Sequence, residues 1–442
     1  MSTIKDVPYF EAQFDKDGKS TNSVSLPADT TDVFVMAHGW RNDAAEASKL
    51  YTDFFNNFFA DPELVKSGSL AGRKCAIVGV FWPSKNFDGL IAAQGGGTPS
   101  NTASIGDVPS DAASQDKLVA QLEALKQSGI FDEPAQKEAL SKAQALVPDL
   151  DDKETARAAF MEHLRSLMDR GAIDKEDASD IFFKNDPNDV LRKLNIPPNS
   201  VDRSIPRTGK AMALTPGEPV IATGHSAGLL DIFKGATAAG SNAVSYLSYF
   251  MMKQRAGAVG TNGVAPLIDK LAPAAALKRI HLIGHSFGGR VVAAAALSSK
   301  NEKIHSVSFL QAAFSHNGFS PAALMNGFFR QVIDKQRVKG PIIATHTKND
   351  TAVGIAYPLA SRISGTVAAA LGDENDKYGG LGRNGAQKMN EGEVVKAELL
   401  AAGKAYQLKP GKFHNLLADA FVKNHGDVTS QEVASAVRAA AV

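Results

Sequence analysis

Cysteine is almost absent from this chain. Of 442 residues only Cys75 carries a thiol, so no disulfide can form within the chain and a reducing compartment, the cytoplasm, is expected. Charge of one sign is also lacking. The 48 Lys and Arg stand against 47 Asp and Glu, which leaves no field to steer the chain to nucleic acid or to an anionic membrane surface. No apolar run approaches the ~20 residues of a membrane-spanning helix. The first eight residues, Met1-Ser2-Thr3-Ile4-Lys5-Asp6-Val7-Pro8, have none of the apolar core of a secretion signal. The 10 histidines contain no His-Glu-x-x-His pair or other paired-ligand spacing, so a catalytic metal is not expected. What remains is ordinary globular composition, 44% hydrophobic and 21% charged, enough for one large domain with an insertion or for two domains.

Two copies of Gly-His-Ser-x-Gly stand in the chain, at Gly224-His225-Ser226-Ala227-Gly228 and at Gly284-His285-Ser286-Phe287-Gly288. Such a pentapeptide can form a sharp strand-to-helix turn that lifts a serine Oγ clear of a sheet. The second copy has the flanks this turn requires. Ile280-His281-Leu282-Ile283 reads as a short buried strand, Gly289 follows the motif, Arg290 to Leu297 is small and apolar like a tightly packed helix, and Ile304 to Gln311 reads as the next strand. The first copy lacks the second glycine and has no partners at suitable spacing, so Ser226 reads as part of a Gly-rich turn bordering the pocket.

Elsewhere Thr31 to Ala37 reads as a buried strand ending in His38-Gly39-Trp40, and Ala44 to Ala60 as a helix with Tyr51, Phe54, Phe55, Phe58 and Phe59 on its core face. Lys74 to Trp82 and Pro341 to His346 read as further strands. The lone Cys75 falls in one of these apolar runs, where a buried structural thiol is the expectation. Strands alternating with helices argue for a mainly parallel sheet covered by helices. Between Gly95 and Pro219 the composition changes to glycine-rich loop, charged helix and proline-containing loop. The expected organisation is a first part of the core over 1–91, a mainly helical insertion or cap over 92–218, and a second part of the core over 219–442.

A serine hydroxyl needs a base to take its proton, and the base needs an acid to orient it. Ser286, then Asp350 after the strand 341–346, then His425 in Lys423-Asn424-His425-Gly426-Asp427 supply this set in chain order, each beyond the carboxyl end of a strand. An oxyanion would be held by the backbone N–H groups of Phe287 and Trp40. Among rivals, Asp334 precedes its strand and falls at the wrong sheet edge. Asp373 and Asp376 read as solvated loop charges, and His414 as lying at or inside a strand. His38 reads as a structural strand-end residue, His281 and His285 as packed or hydrogen-bonded around the turn, and His38, Gly39, His285 and His346 as candidate lining of the site.

The pieces Ala37-His38-Gly39-Trp40, Phe81-Trp82-Pro83-Ser84, Ile283 to Gly289, Thr347-Lys348-Asn349-Asp350 and His425-Gly426-Asp427-Val428 together resemble the serine hydrolases of the α/β-hydrolase superfamily. His-Gly-Trp followed by a helix, then Trp-Pro-Ser, is similar to a poorly characterised bacterial branch of it. The resemblance covers about 31–91 and 240–442. It implies an α/β-hydrolase fold and an esterase or lipase-like activity on a small-molecule ester, with no cofactor. Amide cleavage, acyl transfer and a silent binding or scaffold role on the same fold stay open alternatives, as does the oligomeric state.

Overall fold

The run Asp32–Ala37 is apolar on both sides of its strand, and the reason lies in what covers it. Val33, Val35 and Ala37 point into one core cluster with the helices of one sheet face. Phe34 and Met36 point into a second cluster on the opposite face, because successive side chains of a strand alternate. In the computed structural model, which describes residues 2–40, 42–61, 68–84, 111–168, 177–195, 235–271, 275–350, 363, 374–375 and 377–442, this strand is the third of a nine-stranded sheet. In chain order the strands are β1 (Ser2–Ile4), β2 (Val7–Gln13), β3 (Asp32–Ala37), β4 (Cys75–Phe81), β5 (Arg279–His285), β6 (Ile304–Leu310), β7 (Ile342–His346), β8 (Val394–Glu398) and β9 (Phe413–Leu417). Their spatial order is β1-β2-β4-β3-β5-β6-β7-β9-β8. Only β1 and β2 pair antiparallel; from β2 onward every pair is parallel.

The protein is therefore an α/β fold with a mostly parallel sheet flanked by helices. One face is covered by α1 (Ala44–Phe58) and the C-terminal helix Gln431–Ala441. Asp43-Ala44-Ala45-Glu46 starts α1 as a capping box: the Asp43 carboxylate accepts from the Glu46 N–H at 2.8 Å, and the Glu46 carboxylate accepts from the Asp43 N–H at 2.9 Å. Tyr51, Phe54, Phe55 and Phe58 of α1 are fully buried, each favouring the folded state by roughly 2–3 kcal/mol of apolar burial. Missing from the sequence expectation were β1, β2 and β8. Pro8 interrupts β2 and polar residues alternate in β8, so neither shows the continuous apolar run of a central strand.

The charged helical stretch forms α2 (Asp111–Gln127), α3 (Pro134–Ala145), α4 (Glu154–Ser166), α5 (Ser179–Lys184) and α6 (Pro187–Leu194). Of these α2, α4, α5 and α6 pack on α7 (Ala236–Ala258), a helix buried nearly all round, and α3 packs on α2 and α4. A π-helical segment Val259–Val264 and α8 (Ala265–Leu271) continue it. Leu118, Leu122, Phe160, Leu191 and Phe250 belong to the same apolar cluster as Val33 and Leu282 of the sheet. The helical stretch is thus welded to the core through α7 and shares its apolar interior. No helix among the described residues is long and apolar enough to cross a membrane.

Candidate active site

Because β3, β5, β7 and β9 run parallel, their carboxyl ends meet at one edge of the sheet, and the residues that follow them meet there too. At the end of β5 the chain turns at once into α9 (Phe287–Ser298), with Ser286 at φ 56°, ψ −124° as the N-cap. A non-glycine residue at positive φ is strained. Here its backbone is held by Ser286 N–H donating to the Leu310 carbonyl at 3.0 Å and by Ala313 N–H donating to the Ser286 carbonyl at 2.9 Å. The turn is tight enough that a Cβ on Gly288 would lie 2.1 Å from the Ala37 carbonyl oxygen. This is the physical reason for the small residue two places after the serine.

Ser286, Asp350 and His425 come together. The Ser286 hydroxyl lies 2.8 Å from His425 Nε2, and His425 Nδ1 lies 2.8 Å from Asp350 Oδ2. The carboxylate only accepts, so Nδ1 carries the proton and Nε2 is left to accept from the serine O–H. Asp350 is fully buried, while the His425 side chain keeps 22% exposure, enough for a small molecule to approach from solvent. His414 is elsewhere: it sits inside β9 and its Nε2 accepts from the Lys409 N–H at 2.9 Å. Asp334 ends α10 (Arg330–Asp334) and bonds to Arg330 at 2.8 Å.

The loop after β3 presses against the serine. A Cβ on Gly39 would lie 2.5 Å from Ser286 Cβ. His38, fully enclosed, donates from Nδ1 to the Gly39 carbonyl at 2.8 Å and accepts at Nε2 from the Trp82 N–H at 3.4 Å. Burial lowers its pKa to about 4, against a smaller opposite pull from the Gly39 carbonyl, so it stays neutral as this pattern requires. Holding the Gly39 carbonyl fixes the plane of the Gly39–Trp40 peptide, and with it the direction of the Trp40 N–H, which lies in that plane antiparallel to the carbonyl. Phe287 is the first residue of α9, and its N–H has no acceptor one turn back within the helix. Its ring meets Trp40 edge-on at 5.9 Å.

His285 points to the base loop, donating from Nε2 to the His425 carbonyl at 2.9 Å. Burial pushes its pKa down to about 3, reinforced by the neighbouring His425. His346, at the end of β7, is held near pKa 4 by burial, and no hydrogen bond joins it to Ser286, Asp350 or His425 among the described residues. Ser226 and its pentapeptide lie outside the described residues, as do Asp373 and Asp376.

Several supports of the site carry no local signature in the sequence. Asp419 accepts from Thr347 Oγ1 at 2.8 Å and from the Lys348 N–H at 3.0 Å, and Arg383 donates to the Asp350 carbonyl at 3.2 Å. These bonds clamp the acid's turn. Tyr51 donates to the Val80 carbonyl at 2.5 Å and accepts from the His38 N–H at 2.9 Å, so one aromatic of the α1 stripe also orders the loop behind Gly39. No group of three or more metal-ligating side chains occurs among the described residues. A cleft of about 650 Å³ between α7, α9 and the turn before α3 is lined by Met251, Arg255, Arg290 and Phe328, and by none of the three residues above. Comparison with protein-family models, with curated proteins and with solved structures finds no match to this chain.

Proposed function

We propose that this protein is a serine hydrolase with the α/β-hydrolase arrangement, cleaving a carboxylic ester through an acyl-enzyme. The observation that carries the proposal is the continuous hydrogen-bonded row from Ser286 Oγ through His425 to buried Asp350, with both links at 2.8 Å. A Ser-His-Asp row is recognised by geometry and roles. In this reading Ser286 Oγ attacks the ester carbonyl carbon as His425 Nε2 takes the hydroxyl proton. Asp350 stabilises the resulting imidazolium and keeps its Nδ1–H pointed inward. The oxyanion is met by the amides of Phe287 and Trp40 at the start of α9 and after Gly39. Collapse of the tetrahedral intermediate expels the alkoxide, which receives the proton from His425. A water deprotonated by His425 then attacks the acyl group, and Ser286 leaves with its proton restored.

The test is labelling with a fluorophosphonate and mapping of the modified residue. Modification of Ser286, abolished in His425→Ala, supports the reading. Absence of labelling and of turnover on a panel of short p-nitrophenyl esters would leave the fold as a scaffold. Labelling at Ser226 would move the nucleophile to the other pentapeptide.

A further inference from the structure

His285 is the last residue of β5, immediately before the serine, and its side chain leaves the elbow to reach a different loop. Its Nε2 lies 2.9 Å from the His425 carbonyl oxygen and the two rings stand 5.0 Å apart. A carbonyl only accepts, so Nε2 carries the proton. In a neutral imidazole Nδ1 is then a bare acceptor, and this Nδ1 is buried with no hydrogen-bond partner among the described residues. An apolar side chain would fill this place without bringing a buried, unpaired ring nitrogen of its own. Packing does not account for a histidine here, whereas the bond to His425 does.

That bond fastens the backbone at His425 itself to β5. His425 is followed by Gly426, whose backbone has wide conformational freedom, and the peptide joining them is held from both sides, its N–H by Asn424 Oδ1 within the loop and its carbonyl by His285 from outside it. Three other bonds near it are local: Gly426 N–H to Asn424 Oδ1 at 2.9 Å, Val428 N–H to the Gly426 carbonyl at 2.9 Å, and Lys423 N–H to Asp427 Oδ2 at 3.1 Å; two more fasten the ends of the loop, from Asn349 Nδ2 to the Val422 carbonyl at 2.8 Å and from Asn57 Nδ2 to the Thr429 carbonyl at 2.7 Å. They shape the loop, but none ties it to β5. Among the described residues, only the His285 bond refers the backbone of the base directly to the strand that carries the nucleophile. We propose that His285 is a positioning residue, which uses the Nε2–H to His425 carbonyl bond to hold the His425 ring in line between Ser286 and Asp350.

The functional half of this inference rests on the hydrolase reading above; the geometric half does not, and the test separates them. Three proteins are compared: wild type, His285→Phe, which keeps a ring but no donor, and His285→Gln, whose amide N–H can replace the donor. The first readout is the low-field Nδ1–H proton resonance of His425 in its bond to Asp350, assigned by its loss in His425→Ala. It should be sharp in wild type and His285→Gln, and broadened or shifted upfield in His285→Phe. The second readout is ester turnover, where kcat should fall about 10–100-fold in His285→Phe with KM changed less than about threefold, as expected for a misplaced catalytic group, and recover in His285→Gln. A residue that merely fills space would give the reverse order, with Phe close to wild type and Gln impaired. An unchanged His425 resonance in folded His285→Phe overturns the positioning role. A resonance that responds while wild type shows neither turnover nor labelling retains it and rejects the hydrolase reading.

Discussion

Acid should destabilise this protein well before its carboxylates protonate, and the effect can be assigned to named residues. His38 and His285 are enclosed and hydrogen-bonded in neutral form, with pKa values lowered to about 4 and about 3. In the unfolded chain both return to the ordinary histidine value near ~6.5. Between these limits the unfolded state binds more protons than the folded one, so stability is fully present above about pH 6.5 and is lost as pH falls towards the folded values. From pH 7 to pH 5 each residue should remove about 2 kcal/mol, roughly 4 kcal/mol together. His346, also lowered to about 4 by burial, acts in the same direction. Asp32 does not contribute in this window. Its pKa is lowered to about 2, the hydrogen bonds and charges of His281, Thr31 and Arg73 together outweighing burial, so its stabilisation disappears only below about pH 4. The assay is urea unfolding at half-unit steps from pH 7 to pH 5 for wild type, His38→Gln and His285→Gln. A glutamine amide does not titrate, so each variant should lose about 2 kcal/mol of the pH dependence, whatever its stability at pH 7. If His38→Gln and His285→Gln show the wild-type slope, the two rings are not held neutral in the fold.

Ser286→Ala, His425→Ala and Asp350→Asn should each lower ester turnover by at least ~10³-fold, and pairing either of the latter with Ser286→Ala should lower it little further; an active Ser286→Ala enzyme refutes the nucleophile. Ser226→Ala should keep most of the activity in the same assay. Gly288→Ala would bring a Cβ within 2.1 Å of the Ala37 carbonyl. It should therefore lower the melting temperature, by roughly 1–3 kcal/mol of overpacking, and slow fluorophosphonate labelling by shifting α9 against β3. An unchanged melting temperature would mean the elbow has slack that the geometry does not reveal.

Much of the central architecture was legible in the residues themselves. Largely apolar runs mark β3, β4, β5 and β7 because a strand covered on both faces must be apolar on both, and β6 reads as a strand from Val307, Phe309 and Leu310 despite Ser306 and Ser308. The small residues around Ser286 mark the elbow because a side chain there would meet backbone. The order Ser286, Asp350, His425, each just past a strand, also made these three candidates for a single site. Local pattern could not supply the distances that join them. A 2.8 Å link between residues 139 positions apart follows from the parallel register that brings the ends of β5, β7 and β9 to one edge. The same is true of His285, which reads locally as a strand-end residue and becomes an anchor only because the His425 loop folds back over it. It is true also of Asp419, Arg383 and Tyr51, whose bonds cross between elements. The helices from α2 to α6 make the point for packing. Their charge and spacing announce a helical stretch, but whether it stands off as a cap or shares the core depends on α7, whose all-round burial comes from having helices on one side and the sheet-packed α9 on the other. Periodicity is a property of neighbours in the chain, and these contacts are between strangers.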